Sequence, residues 1–113
     1  MTQEARQPSD RVRVLLTELR AGLTEIYGED LEGLFLFGSY ARGDERPGSD
    51  LDVLAVLSAF DDLWTEIKRT SELVADLSLK HGVTVALQMI RRSEWQGEQD
   101  PLILSIREEG VAA

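Results

Sequence analysis

Apolar residues recur at Val12, Leu15, Leu16, Leu19, Leu23 and Ile26. Spacings of three and four put them on one stripe of a helix. Ser9 or Asp10 is placed to cap its start and Gly28 to stop it. LEGLFLFG, residues 31–38, is a short apolar run closed by glycine and reads as a strand. Leu51 to Leu57 is a second strand. Its VLAVL run is apolar at consecutive positions, which predicts a central strand covered on both faces, or nearly so. A second helix is predicted over 59–80, with Phe60, Leu63, Trp64, Ile67, Val74 and Leu77 on one face and Gly82 at its end. On that stripe Trp64 is expected in the core. GVTVALQMI, residues 82–90, reads as a third strand. SEW at 93–95 and PLILSIREEG at 101–110 read as one or two short helices. The order is helix, strand, strand, helix, strand, helix. It predicts a small α/β (α+β) layer, a mixed sheet flanked by helices.

Composition narrows the class. A chain of 113 residues holds one core. Residues 1–8 are polar and expected to fray, leaving 9–113 as a single domain. With 42% hydrophobic and 29% charged residues, the chain belongs with ordinary globular proteins rather than disordered ones. Lys and Arg number 12 against 21 Asp and Glu, a net charge of −9. That balance argues against broad binding to nucleic acid, which needs a basic surface to displace counterions. It suits a basic protein partner, or a site that holds cations. The absence of cysteine excludes disulfides and thiolate metal sites. No apolar run approaches the ~18 residues of a membrane span. MTQEARQPSD lacks the apolar core of a signal peptide, so a cytoplasmic location is expected.

The chemistry concentrates in FGSYARGDERPGSDLDV, residues 37–53. Asp50 and Asp52 are two residues apart at the start of the apolar strand. In a strand, such residues point to the same face, with Cα atoms roughly 6.5–7 Å apart. Two like charges this close push one carboxyl toward protonation, and a divalent cation removes the conflict. Carboxylate oxygens suit Mg²⁺, which keeps waters and takes up phosphate oxygens. The preceding loop supplies what a phosphate needs. Gly38 and Gly43 let the backbone turn and approach a ligand closely. A Gly-Ser turn after a strand can expose backbone N–H groups as an anion nest. Ser39 adds a hydroxyl, and Arg42 and Arg46 are candidates for charge-assisted bonds. Together these point to phosphoryl or nucleotidyl transfer.

Each element alone has a plainer reading. Asp50 also suits a turn cap, and Asp52 a pair with Arg42. Arg42 and Arg46 also suit a solvated surface beside Asp44 and Glu45. The array as a whole, at this spacing, favours a site. Elsewhere, His81, the sole histidine, is placed to interact with a helix C-terminus rather than to act as a base. Tyr40 suits either packing on the turn or stacking on a base. Arg91 and Arg92 suit a nucleotide, a partner or plain surface.

Gly38-Ser39, ten residues, then Asp50-Leu51-Asp52 resembles the minimal nucleotidyltransferases, small members of the DNA polymerase β-like superfamily. The ARG at 41–43, the Ser49-Asp50 pair, the apolar strand after the aspartates and the PLILSIREEG segment are similar to that family as well. The resemblance implies the polymerase β-like nucleotidyltransferase fold. It implies Mg²⁺ on Asp50 and Asp52, with a nucleoside triphosphate such as ATP held through Gly38, Ser39, Arg42, Gly43 and Ser49. The implied reaction is attack of an acceptor hydroxyl on the α-phosphorus with release of pyrophosphate. Many such free-standing proteins are antitoxins of small helical HEPN-type RNases, and some silence the toxin by adding AMP to it.

The sequence departs from that pattern at one point. The family places a third carboxylate on an adjacent strand. GVTVALQMI carries Val83, Val85, Leu87 and Met89 on one face and Thr84, Ala86, Gln88 and Ile90 on the other. Neither face has an acid. Ala86 is the best match to the missing position, with Thr84 or Gln88 as alternatives. Glu94, Glu98 and Asp100 are the acids of the following segment that are candidates to reach in. Loss of such a group leaves binding intact while removing several kcal/mol of transition-state stabilisation. A stand-alone enzyme acting on a small molecule or another protein, and a degenerate protein-binding module, are the rival readings.

Overall fold

In the computed structural model, which describes residues 9–97 and 100–113, the leucine stripe is the buried side of α1 (Asp10–Tyr27). Ser9 caps it, its Oγ accepting the Val12 N–H at 3.3 Å. Gly28, at φ 57°, ends it and donates its N–H to the Thr24 carbonyl. Leu19 and Leu23 are fully buried. Each such side chain contributes about 1.5–3 kcal/mol. A 3₁₀ turn over Gly28–Asp30 leads into β1 (Leu31–Phe37).

Four strands form one mixed sheet in the order β3 (Val85–Arg91), β2 (Leu51–Leu57), β1, β4 (Val111–Ala112). β1 runs antiparallel to both β2 and β4, and β2 runs parallel to β3. A parallel pair needs a crossover. Here it is α3 (Leu63–His81), which packs on α1 and over β3. β2 is the interior strand that the run of apolar residues predicts. Leu51, Val53, Ala55 and Leu57 join the cluster under α1 and α3. Leu54 and Val56 point the other way, to Ile106, Phe35, Phe37, Ile90 and Trp95. That second layer is built by α4 (Arg92–Gln96) and α5 (Pro101–Glu109), the latter capped by Asp100. Trp95 stacks on Phe35 with ring centroids 4.7 Å apart.

The second helix differs from its sequence pattern. It starts at Leu63, where Asp62 accepts the Trp64 and Thr65 N–H groups, each at 3.3 Å. Phe60 lies in the loop before it, with the Arg91 guanidinium 4.2 Å from its ring centre. Trp64, expected in the core, is 62% exposed. The buried stripe is Glu66, Thr70 and Leu77 instead, with Leu73 half-buried against Gly22. At 100° per residue, Trp64 lies about 160° away from that stripe. Two polar residues can be buried there because their groups are satisfied. Glu66 accepts from the Tyr27 hydroxyl at 2.8 Å and from Arg69 at 3.0 Å. The Thr70 hydroxyl donates to the Glu66 carbonyl at 3.0 Å. The third strand begins at Val85 rather than 82, because the Val83 N–H is spent on the Ser78 carbonyl. Among the described residues, no helix is long and apolar enough to cross a membrane. The expected frayed segment 1–8 lies outside the described residues.

Candidate functional site

The turn after β1 is built on Gly38, at φ 74° and ψ −154°. Side chains rarely tolerate this backbone region, so the position requires glycine. Its carbonyl accepts the N–H groups of Ala41 and Arg42, both at 3.1 Å, which opens a single helical turn, α2 (Ser39–Arg42). The first N–H groups of any helix lack an acceptor within it, and here they belong to the segment starting at Ser39. Gly43, in the left-handed region at φ 78°, closes the turn, and the N–H groups of Gly43 and Asp44 both reach the Ser39 carbonyl. The sequence predicts only a loop between Gly38 and Asp50. Four residues are too few for helical periodicity to appear.

A second turn, Arg46–Ser49, leads to the aspartates. The Ser49 N–H donates to the Arg46 carbonyl, and the Ser49 hydroxyl accepts the Arg46 N–H, both at 2.9 Å. Ser49 therefore shapes the approach to Asp50. Asp50 is exposed and sits just ahead of β2. Leu51 then fixes the strand by donating its N–H to the Thr84 carbonyl at 2.8 Å.

Asp52 is half-buried in mid-sheet, with Phe37 beside it on β1 and Ala86 beside it on β3. Because Gly38 follows Phe37, it passes directly over Asp52. The carboxylate fills the space that a Gly38 β-carbon would take. Burial is the main cause that holds the Asp52 carboxyl above the usual range, and the Asp50 charge adds to it. Arg42 opposes both. Arg42 itself is exposed and pairs with Asp44 at 3.2 Å rather than with Asp52. The fold thus brings Gly38, Ser39, Asp50 and Asp52 to one end of the sheet, with Arg42 close enough to be felt.

Arg46 turns elsewhere. With Tyr40, Pro47, His81 and Val83 it lines a cavity of about 320 Å³. Tyr40 also packs against the main core, which fits the packing alternative. His81 does end α3, and its Nε2 lies 2.9 Å from Glu18 of α1. A larger groove of about 650 Å³, between α1 and the last residues, contains none of the expected site residues. Sequence reading missed the Tyr27–Glu66–Arg69 group at the far end of β2, since nothing local marks a glutamate as buried. Burial, more than the Glu66 hydrogen bond, raises the Tyr27 hydroxyl pKa.

The acid-free position is now located. Ala86 is the register partner of Asp52, whereas Gln88 sits beside Leu54. Glu94 accepts from Arg91, which is in register with Leu57. That is five residues along β2 from Asp52, roughly 17 Å away. Asp100 accepts the Leu102 N–H at 2.9 Å as a helix cap. Glu98 lies outside the described residues. Among the described residues, no group of three or more His, Asp or Glu is placed to hold a metal ion. Two mutually repelling carboxylates suit one Mg²⁺ that takes its other ligands from water and phosphate. They do not supply the ligands for a second.

The nucleotidyltransferase domain family model matches residues 16–111. A candidate protein adenylyltransferase of Methanocaldococcus jannaschii is 31% identical over 72 residues, 64% of this chain and 72% of that protein. A candidate nucleotidyltransferase from Sulfolobus solfataricus superposes with a TM-score of 0.63 at 20% identity, covering 90% of this chain and 80% of that one. A toxin–antitoxin complex with AMP-PNP gives 0.58 at 20% identity, over 83% of this chain and 68% of the other. A tri-AMPylated Shewanella oneidensis HEPN toxin in complex with an MNT antitoxin gives 0.51 at 16% identity, over 87% and 70%. At these identities the structural likenesses establish the fold. With the match over residues 16–111, they place the chain in the nucleotidyltransferase domain family.

Proposed function

We propose that the chain binds a magnesium–nucleoside triphosphate, ATP being the expected one, and serves as the antitoxin of a HEPN-type RNase, which it AMPylates or masks. The carrying observation is the stacking of Gly38 over Asp52. It brings the phosphate-turn candidate against one of the two candidate metal carboxylates, which supports reading them as one site. In this reading Asp50 and Asp52 hold the ion, and Gly38, Ser39, Arg42, Gly43 and Ser49 form the triphosphate turn. The metal would stabilise charge on the phosphate oxygens. Asp52 is half-buried between β1 and β3, while Asp50 is exposed just ahead of β2. The net charge of −9 favours encounter with a basic partner. The toxin complexes among the structural neighbours support the partner class.

Ala86 beside Asp52 gives weight to a second reading, in which nucleotide is held but transferred slowly or not at all. Two measurements separate the readings. Calorimetry with ATP and Mg²⁺ is expected to show binding that Asp52→Asn weakens at least tenfold. Incubation with labelled ATP and the product of the neighbouring gene then reports transfer. Binding without label supports masking, and absence of both binding and complex formation overturns the proposal.

A further inference from the structure

The cavity lined by Arg46 lies behind the turn that carries Ser39, on the other face of the sheet from the aspartates. Leu51 and Val85 belong to the cluster under α1 and α3. Side chains alternate along a strand, so Asp52 and Ala86, the next residues, face the other way. Val12, Leu15, Tyr40 and Val83 line the cavity, and all four pack with the Leu51 cluster. Its volume of about 320 Å³ is that of a site for one small molecule, at the low end of the ~300–1,000 Å³ typical of ligand pockets.

Its polar groups stand apart from the rest of the chain. Among the described residues, every arginine but one is engaged by an acid, a carbonyl or an aromatic ring. The exception is Arg46. Its backbone is fixed by Ser49, but its guanidinium has no partner. His81 is the second open group. Its side chain is 10% exposed, and its Nε2 lies 2.9 Å from Glu18. Its Nδ1 has no partner, yet no buried side-chain nitrogen or oxygen among the described residues lacks one. Nδ1 is therefore not sealed in. Arg11 is the third cationic group, tied to the His81 carbonyl. Against these, the described lining holds one carboxylate, Glu45, while nearby Glu18 is taken up by Lys80 and His81. A chain of net charge −9 thus gathers two guanidiniums and its sole histidine around an apolar wall.

We infer that this cavity binds a nucleoside monophosphate without a metal ion. Guanidinium groups make charge-assisted hydrogen bonds to phosphate oxygens, and Arg46 is the one left free to do so. Arg11 and His81 add to it. The base would lie against the wall formed by Tyr40, Val12, Leu15 and Val83. Inorganic phosphate alone would leave that wall uncovered, and an uncharged ring compound would leave Arg46 unpaired. A triphosphate arrives with Mg²⁺, and one carboxylate, Glu45, does not replace the Asp50–Asp52 pair. The net charge of −9 opposes an anion only through distant acids, which physiological salt screens beyond about 8 Å. Tyr40 follows Ser39, and Arg46 closes a turn with Ser49. An occupant here therefore rests against the back of the phosphate-turn candidate. The inference stands apart from the triphosphate reading, since it uses the opposite face of the sheet and none of the residues assigned there.

Calorimetry of the whole chain with AMP in buffer containing EDTA tests this. Saturable binding is expected, equal in the parent and in Asp52→Asn. Arg46→Ala breaks no hydrogen bond or ion pair of its guanidinium, so the fold is expected to stand. It should weaken AMP at least tenfold, and Arg46→Lys, which keeps the charge, should weaken it less. Adenosine and inorganic phosphate, offered separately, should each bind at least tenfold more weakly than AMP. Amide resonances give a second readout: AMP should shift those of Arg46 and Val83 and leave those of Asp52 and Ala86 in place. No binding of AMP without metal overturns the inference. So does binding that Arg46→Ala leaves unchanged, or that shifts Asp52 and Ala86 instead, since either assigns the ligand to the carboxylate face. Phosphate that binds as tightly as AMP overturns it too, by reducing the cavity to an anion site. Failure of Mg²⁺–ATP to bind at Asp50 and Asp52 would leave every one of these outcomes readable.

Discussion

The carboxylate of Asp52 packs against Gly38 in the space a β-carbon would fill. This contact joins two parts of the chain that are fourteen positions apart in the sequence through the register of β1 and β2, in which Phe37 stands opposite Asp52. The turn that suits phosphate and the carboxylate that suits a metal are therefore one structural unit. Moving either disturbs the other.

Gly38→Ala should damage both stability and binding. Alanine would have to adopt a backbone φ of 74°, and its methyl group would have to displace the Asp52 carboxylate. Backbone strain of this kind costs about 1–3 kcal/mol. On the reading proposed above, affinity for ATP with Mg²⁺ should fall at least tenfold. Thermal unfolding and calorimetry on the same preparation check the two effects. A variant with unchanged affinity would separate the turn from the site.

Much of this was legible in the residues. The central placement of β2 followed from VLAVL, because only a strand covered on both faces is apolar at consecutive positions. Ser9, Gly28 and Gly82 cap as their chemistry predicts. What was not legible depended on long-range partners. Trp64 lies outward because Glu66 and Thr70 occupy the buried stripe, and nothing near Glu66 in the sequence foretells Tyr27, 39 positions away. α2 and β4 are too short to show a period. The aspartates and the Gly-Ser turn were readable as types at a spacing, but their stacking came only from strand register.

Ala86→Asp should add a carboxylate next to Asp52. Without metal, a third negative charge beside two others destabilises the fold, and Mg²⁺ or Mn²⁺ should recover that loss. Metal affinity should rise about tenfold or more, read by calorimetry or by Mn²⁺ resonance in the absence of nucleotide. If transfer is limited by this position, labelled-ATP turnover should rise too. Unchanged metal affinity would show that Ala86 does not face the ion.

Tyr27→Phe removes one of the two donors to Glu66, leaving Arg69 at 3.0 Å. Glu66 is only 6% exposed, so water replaces the lost bond poorly. The expected cost is about 1–2 kcal/mol in urea unfolding, with no effect on nucleotide binding, since the group sits at the opposite end of β2. A loss of binding instead would connect this end of the sheet to the site.

Glu18 gives the chain an acid-sensitive clasp between α1 and the end of α3. Its carboxylate accepts from Lys80 at 2.6 Å and lies 2.9 Å from His81. The Lys80 hydrogen bond is the main cause that lowers its pKa below the ordinary 4.5, with His81 adding to it. Between the lowered and ordinary values the unfolded chain binds more protons than the folded one, so stability rises with pH there. The contribution is therefore complete above the ordinary value and is lost as pH falls through the lowered one. Glu18→Gln should be less stable than the parent near neutrality, and the two should converge as acid is added below pH 4.5. Denaturant midpoints across that range test it. Parallel curves, with the same difference at every pH, would show that the carboxylate charge contributes nothing and that the clasp acts through packing alone.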